Sequence, residues 1–207
     1  MARTKSRFVC QECGYVASSW LGRCPECGGW NTLVEEAEVT AKASKSYLPA
    51  NNEKLRPRTI ASVAQTKVER LATGIREFDR VLGGGVVPGS LVLLGGTPGI
   101  GKSTILLDAG LRFGQQGVKV LCVSGEESEE QTAMRAVRLG GAQANYNLLI
   151  LTATDLDAIL AQANALKPQL LIIDSIQTMY NPELQTAAGS VGQVRECTAK
   201  LLQFAKS

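Results

Sequence analysis

Gly96-Thr97-Pro98-Gly99-Ile100-Gly101-Lys102-Ser103 fits the pattern G-x-x-x-x-G-K-[ST] of a phosphate-binding loop, with Thr104 next in line. Ahead of it, Leu91-Val92-Leu93-Leu94 predicts a buried strand feeding the loop. Behind it, Ile105, Leu106, Ala109 and Phe113 recur at helical spacing and predict a helix over Lys102–Gln116. A loop of this kind wraps backbone N–H groups around a polyphosphate, and the helix start adds orphan donors and the positive end of its dipole. Glycines suit it because a Cβ obstructs both the turn and the close approach of the ligand. The expected ligand is a nucleoside triphosphate bound across residues 96–104.

Working outward, strands and helices alternate. Val118–Val123 predicts a strand, Glu129–Leu139 a helix, Leu148–Leu151 a strand, and Asp155–Leu166 a helix with Thr154 as N-cap. Leu170-Leu171-Ile172-Ile173-Asp174 is a continuous apolar run ending in a carboxylate, and Cys197 lies on a further helix. Continuous apolar strands belong to parallel sheets covered on both faces. The expected class is α/β, three layers, with ligands at the carboxyl ends of the strands. Upstream, Ile75, Phe78, Val81 and Leu82 predict a short helix stopped by Gly83-Gly84-Gly85, and Pro88-Gly89 a turn.

A triphosphate site needs a metal ion and a group that positions the attacking water. Lys102 is placed to reach the β- and γ-phosphates and the Ser103 hydroxyl to ligate Mg²⁺. Asp174, at a strand tip, has the form of a second acidic element holding Mg²⁺ through water. The alternative for Asp174 is a strand-end cap. Glu126 and Glu127 directly follow a strand, and Glu126 is the first choice and Glu127 the second for general base. The competing reading makes both of them solvated residues of the acidic stretch Glu126–Glu130.

Cys10-x-x-Cys13 and Cys24-x-x-Cys27 are two pairs separated by ten residues, with Gly14 and Gly28 directly after each pair. Two thiolates three apart on a tight turn share one tetrahedral Zn²⁺, and four close its coordination shell, so the expected site is structural. A segment of about thirty residues buries too little apolar surface to fold alone, and the metal supplies the folding free energy. The alternatives are two disulfides, which need an oxidising compartment, or four unpartnered thiols. Tyr15, Trp20 and Trp30 are expected to pack this small core, with stacking on nucleic acid as a second use. Cys122 and Cys197 have no partner in sequence and read as apolar fillers.

Histidine is absent, which excludes a His-based acid–base pair, a catalytic triad with histidine and a His-ligated metal. With 44% apolar residues and no apolar run near ~18 residues, the chain reads as soluble, with no membrane partner. The basic stretch Met1–Arg7 has no apolar segment behind it and does not read as a secretory signal. The net charge of +3 lies in residues 1–66, with nine Lys/Arg against six Asp/Glu; residues 67–207 carry thirteen of each. Any electrostatic attraction to nucleic acid is therefore concentrated in the N-terminal third. Composition and periodicity divide the chain into a four-cysteine zinc ribbon over 1–34, a linker over 35–66 and an α/β core over 67–207, with 35–58 extended or partly disordered.

The ribbon Cys10–Cys27 with Trp30-Asn31-Thr32-Leu33-Val34-Glu35-Glu36, the run Thr73–Gly85, the loop at 96–103, Val123-Ser124-Gly125-Glu126-Glu127-Ser128 and Ile173-Asp174-Ser175-Ile176-Gln177 follow one another in this order. In this the chain resembles the RadA (Sms) family of bacterial DNA-repair ATPases. The resemblance implies a RecA-like P-loop ATPase core, a mainly parallel sheet between helices, preceded by a small zinc ribbon. It implies ATP, Mg²⁺ and Zn²⁺ as cofactors and a cytoplasmic protein. It further implies hydrolysis in RecA-like or DnaB-like homo-oligomeric rings, binding of single-stranded DNA and branch migration of branched recombination intermediates. By motif position, Lys102, Ser103 and Asp174 take the phosphate and Mg²⁺ roles and Glu126 the catalytic glutamate. A DNA-facing loop is implied over Thr186–Arg195, with Gln193 and Arg195 as contacts.

Family members continue through further strands, a Lys-Asn-Arg-Phe-Gly element and a Lon-protease-like domain, so the chain ending at Ser207 resembles an N-terminal fragment, C-terminally incomplete. Stable folding of 67–207 by itself is thereby in question, as is any arginine or lysine finger supplied in trans. Poor turnover by this chain is expected. A non-enzymatic alternative is a nucleotide-gated assembly module whose ribbon docks a partner such as a recombinase or replicative helicase. A KaiC-like ATPase or kinase shares the core motifs but leaves the ribbon without an account.

Overall fold

A computed structural model describes residues 6–37, 59–64, 69–141, 147–184 and 186–207. The chain divides after Glu69 into two units, Met1–Glu69 and Arg70–Ser207. Most of the linker expected over 35–66 lies outside the described residues. Two described stretches of it are regular.

In the first unit β1 (Ser6–Cys10) is the middle strand of three, between β2 (Val16–Ala17) and β3 (Leu33–Ala37), all antiparallel. β3 therefore carries Glu35–Ala37 into the expected linker, because Ser6–Phe8 pair with them and satisfy their backbone groups. A five-residue helix, α1 (Ile60–Ala64), is the other regular piece. The ribbon core is Cys10, Ala17, Cys24 and Leu33, with Phe8 and Tyr15 packed against it. Trp20 and Trp30 do not pack it: they are 55% and 71% exposed. With strands of two and five residues, the described ribbon core is a small cluster around Cys10 and Cys24, and both indoles stay outside it.

In the second unit, Leu71 and Val86 exchange both backbone hydrogen bonds, at 2.9 and 2.8 Å, and close a loop containing α2 (Arg76–Val81). The Asp79 carboxylate organises its start, accepting from the Thr73 amide and hydroxyl and the Gly74 amide at 2.7, 2.8 and 2.9 Å. Gly85 sits at φ 130°, where a Cβ would run into the Leu71 carbonyl.

The main sheet is parallel, in the order β5 (Leu148–Thr152), β4 (Val120–Ser124), β6 (Leu170–Asp174). β4 is buried throughout, and its alternate residues feed two cores. Val120 and Cys122 join Ile172 and the Ala109 and Phe113 side chains of α3 (Lys102–Gln115). Leu121 and Val123 join Leu156 and Ile159 of α5 (Leu156–Leu166) and Cys197 and Leu201 of α6 (Val191–Lys206). The result is the three-layer α/β arrangement. Phe113, almost fully buried, contributes roughly 2–3 kcal/mol by leaving water. α3 approaches the sheet closely at Gly110, where a Cβ would meet Ile172 and Leu148 at 3.2 and 3.4 Å.

Helix α4 (Glu129–Ala136) opens with a full capping box, the Ser128 hydroxyl taking the Gln131 amide and Gln131 returning the bond. The N-cap of α5 is Asp155 rather than Thr154: its carboxylate accepts from the Asp157 and Ala158 amides at 2.9 and 3.2 Å. A charged carboxylate at a helix start outcompetes a threonine hydroxyl one residue away. Leu91–Leu94 differ more. They form no strand, and Leu91, Val92 and Leu93 are exposed, Leu93 at 78%. A parallel strand exists only through a neighbour's ladder, and none of the described strands lies beside this run.

Candidate nucleotide site and metal centre

The loop 96–101 holds itself open with glycine. Gly99 and Gly101 have φ of 78° and 101°, and a Cβ at either would point into open space, so the requirement there is the backbone conformation itself. Gly101 is also the N-cap of α3, with no side-chain cap bond. The first-turn amides of α3, from Lys102, Ser103 and Thr104, therefore lack the side-chain acceptor that helices usually recruit, which suits an incoming anion. The Lys102 ammonium is folded over the loop, donating to the carbonyls of Gly96 and Thr97 at 2.9 and 3.0 Å. Thr97, Pro98 and Ile100 lie on its exposed rim.

The parallel register brings the acidic residues to the same end. Ser124 is the partner of Asp174 across β4 and β6, and both fall at the carboxyl ends of their strands. Asp174 is two residues past Ile172, so it faces the α3 side. A small cavity there, about 10 Å³, is lined by Ser103 and Leu106 of α3, Cys122 and Ser124 of β4, Glu127, Thr132 and Arg135 of the turn and α4, and Asp174. Ser103, Glu127 and Asp174 are thus brought together. The Thr132 hydroxyl, buried in this wall, has no hydrogen-bond partner among the described residues.

Glu126 and Glu127 diverge. Glu126 is exposed and lies outside that cavity, its Oε1 accepting from the Ser175 hydroxyl at 3.2 Å. Glu127 is half-buried and ion-paired to Arg135. Gly125 sets this turn: its amide donates to the Asp174 carbonyl at 3.0 Å, and a Cβ would collide with Thr178 and Met179. The Asp174–Ser175 peptide is cis. Burial, with the charges of Asp174 and Glu127 behind it, pushes the Cys122 thiol up to about 11, which leaves it a protonated filler. Sequence reasoning missed Ser124, Thr132 and Arg135. The signal for the last two is their spacing along α4 from Ser128, four and seven residues on, which sets them on one helix face.

In the ribbon, the sulfurs of Cys10, Cys13, Cys24 and Cys27 all lie within 4.8 Å of one another. Cys10–Cys27 is 3.7 Å and Cys13–Cys24 is 3.6 Å. Both exceed a disulfide bond of ~2.05 Å and match the ~3.8 Å edge of a tetrahedron with Zn–S bonds of ~2.3 Å. The two halves repeat one geometry: Gly14 N–H bonds Cys10 C=O and Gly28 N–H bonds Cys24 C=O, each at 2.9 Å, with both glycines at positive φ. The Thr32 hydroxyl draws the Cys10 thiol down to about 6. Although the Gly29 amide pulls the other way, desolvation and the neighbouring thiols push Cys27 up to about 12. Four thiols crowded in this way ionise together only around a cation, so the donor set fits a zinc ion.

The segment implied to face DNA turns out differently. Gln193 is wholly buried and clamps the chain, accepting from the Asn181 amide at 2.8 Å and donating to the carbonyls of Asn181 and Thr186 at 3.2 and 2.9 Å. Its side chain is spent on these bonds and has no face left for nucleic acid. A carboxamide suits the place because it serves the Asn181 N–H and C=O at once. Helix α6 already begins at Val191, and Arg195 is exposed on it. Gln185 lies outside the described residues.

With this geometry in view, the AAA domain family model matches residues 53–207. The chain belongs to that family. The model of the rubredoxin metal binding domain matches residues 8–35, the stretch holding the four cysteines. Among curated proteins, this AAA chain is 48% identical over its whole length to the DNA repair protein RadA of Halalkalibacterium halodurans. It is 46% identical to that of Bacillus subtilis and 47% identical to that of Streptococcus pyogenes serotype M1. It spans 45% of the length of each of these relatives. The AAA core with its parallel sheet between helices, and the four-cysteine ribbon before it, agree with the architecture expected from sequence. No helix among the described residues is long and apolar enough to cross a membrane.

Proposed function

We propose that the chain is the nucleotide-binding part of a DNA-dependent ATPase of recombinational repair, which binds single-stranded DNA and drives branch migration in the bacterial cytoplasm. The observation that carries this is the meeting of Ser103 and Asp174 on one cavity at the carboxyl end of the sheet. The names of the relatives, DNA repair protein RadA, supply the repair context.

In this reading ATP lies across 96–104, held by the loop amides and the start of α3, and Lys102 exchanges its loop carbonyls for the β- and γ-phosphates. Ser103 and Asp174 hold Mg²⁺, which neutralises phosphate charge. Glu126, steadied by the Ser175 hydroxyl, polarises the attacking water. Cys10, Cys13, Cys24 and Cys27 hold a structural Zn²⁺ that supplies the folding free energy of the ribbon. On the ribbon, Arg23 lies 5.8 Å from the centroid of the exposed Trp30 ring, a cation and an aromatic face of the kind that stacks unpaired bases. Homo-oligomeric rings and branched recombination intermediates belong to the same reading.

The deciding experiment measures ATP turnover with and without single-stranded DNA at low salt, on this chain and on a C-terminally extended version. DNA raises turnover in the longer protein, and Lys102→Ala abolishes the response. No DNA response of the longer protein at low salt, where phosphate contacts are strongest, overturns the proposal.

Exposure of Val16, Trp20, Leu21, Trp30 and Val34 on so small a unit favours one other reading. There the ribbon docks a recombinase or a replicative helicase, and ATP gates assembly with little hydrolysis.

A further inference from the structure

The cavity at Ser103 is lined by two carboxylates, Glu127 and Asp174, and one cation, Arg135. Two anions on one wall are a poor host for a triphosphate. Asp174 stands at the strand tip and lines the same cavity as Ser103, where a metal ion would neutralise it. Glu127 has a different partner. Its carboxylate is ion-paired with the Arg135 guanidinium, and the two side chains are 30% and 26% exposed, so the pair is only partly screened by water. Its backbone is also tied on both sides: the Glu127 amide donates to the Ser124 hydroxyl at 3.0 Å, and its carbonyl accepts from Thr152 at 3.5 Å. Arg135 reaches back from the last turn of α4 to a residue ahead of that helix, a contact made across the site.

We propose that Arg135 is a positioning residue of the nucleotide site: it neutralises Glu127, so that Asp174 is the one carboxylate of the cavity left for the metal. This rests on the reading of residues 96–104 as an ATP site. It also divides the labour of the two adjacent glutamates. Glu127 belongs to the wall, fixed by Arg135, while Glu126, outside the cavity and bonded to the Ser175 hydroxyl among the described residues, is left to act on water. Removing Arg135 alone leaves a half-buried carboxylate facing the phosphates. Removing both members of the pair does not.

The test is the affinity of this chain for a fluorescent ATP analogue with Mg²⁺, at low and at high salt, which needs no turnover. Arg135→Gln is expected to weaken binding by about tenfold at low salt, and by less at high salt. The double variant Glu127→Gln, Arg135→Gln is expected to return to within about twofold of wild type, and Glu127→Gln alone to bind at least as tightly as wild type. A merely structural role for Arg135 predicts no rescue in the double variant and no salt dependence. A direct Arg135 contact to phosphate likewise predicts no rescue, and either result overturns the proposal. So does unchanged affinity of Arg135→Gln. Should that variant lose its far-UV circular dichroism, Glu127→Gln decides alone: weakened binding refutes the inference. A wild-type chain that binds no analogue refutes the ATP site itself, and this inference with it.

Discussion

Asp79 ties helix α2 to the Thr73–Gly74 turn upstream of the phosphate loop, and its replacement by alanine has a calculable cost. The carboxylate accepts three hydrogen bonds, two from Thr73 and one from Gly74. Thr73 is wholly buried, so its amide and hydroxyl protons lose their acceptor in Asp79→Ala and find no water. Each unsatisfied buried donor costs about 1–3 kcal/mol. The Gly74 amide is exposed and recovers its bond from solvent. The expected destabilisation of the second unit is therefore about 3 kcal/mol, a fall of about 8 °C in Tm for a unit of this size. Asp79→Asn keeps one oxygen for Thr73 and sets an amide nitrogen against Gly74 N–H, so it is expected to lose about half as much. The acid limb carries a second signature. Desolvation of Asp79 works upward, but the bonds from Thr73 and Gly74 outweigh it and hold its pKa below the usual value. Its contribution is present above the unfolded pKa of ~3.9 and is lost as pH falls through the folded value. Urea denaturation across that range shows a shallower acid decline in Asp79→Ala than in wild type. A loss of stability under ~0.5 kcal/mol, or an unchanged acid limb, refutes the reasoning.

Glu126→Gln is expected to reduce ATP hydrolysis of the extended protein by at least ~100-fold while leaving nucleotide affinity within about twofold; an unchanged rate removes Glu126 as the base and favours the assembly reading. Elemental analysis is expected to find one zinc per chain. Stripping it with a strong chelator removes about 10 kcal/mol or more of apparent folding free energy from the ribbon. The collapse is visible as loss of amide chemical-shift dispersion over residues 8–35 and is reproduced by Cys27→Ser; a ribbon unchanged after complete removal of metal contradicts the structural role. Trp30→Ala is expected to weaken single-stranded DNA binding about tenfold in a fluorescence-anisotropy titration, with Tm unchanged, because the ring stands outside the core. Retained DNA affinity together with lost capture of a purified helicase or recombinase turns the surface over to protein docking.

Much of the site was legible because its chemistry is local. Gly99 and Gly101 answer to backbone conformation, and the knuckle glycines Gly14 and Gly28 to the turn after each cysteine pair, so spacing in the chain suffices. Strand and helix positions from 120 to 174 were equally legible, since β4 is buried on both faces and both β4 and β6 are apolar runs that lack polar alternation. Contacts distant in sequence were not. Burial of Gln193 depends on the chain reversing at Asn181, twelve residues upstream. Exposure of Trp20 and Trp30 depends on how little room the ribbon strands enclose. For Leu91–Leu94, apolar composition signals a strand only if a neighbouring strand stands beside it.

From the chain alone come a triphosphate loop, a four-thiol knuckle pair, an alternating α/β order and two candidate glutamates side by side, since each is a matter of residue type at fixed spacing. Which glutamate faces the cavity is a matter of tertiary structure. A turn sends successive side chains in different directions, and only the parallel register of β4 and β6, with α4 folded back over the strand ends, delivers Glu127 to Arg135 and leaves Glu126 beside Ser175.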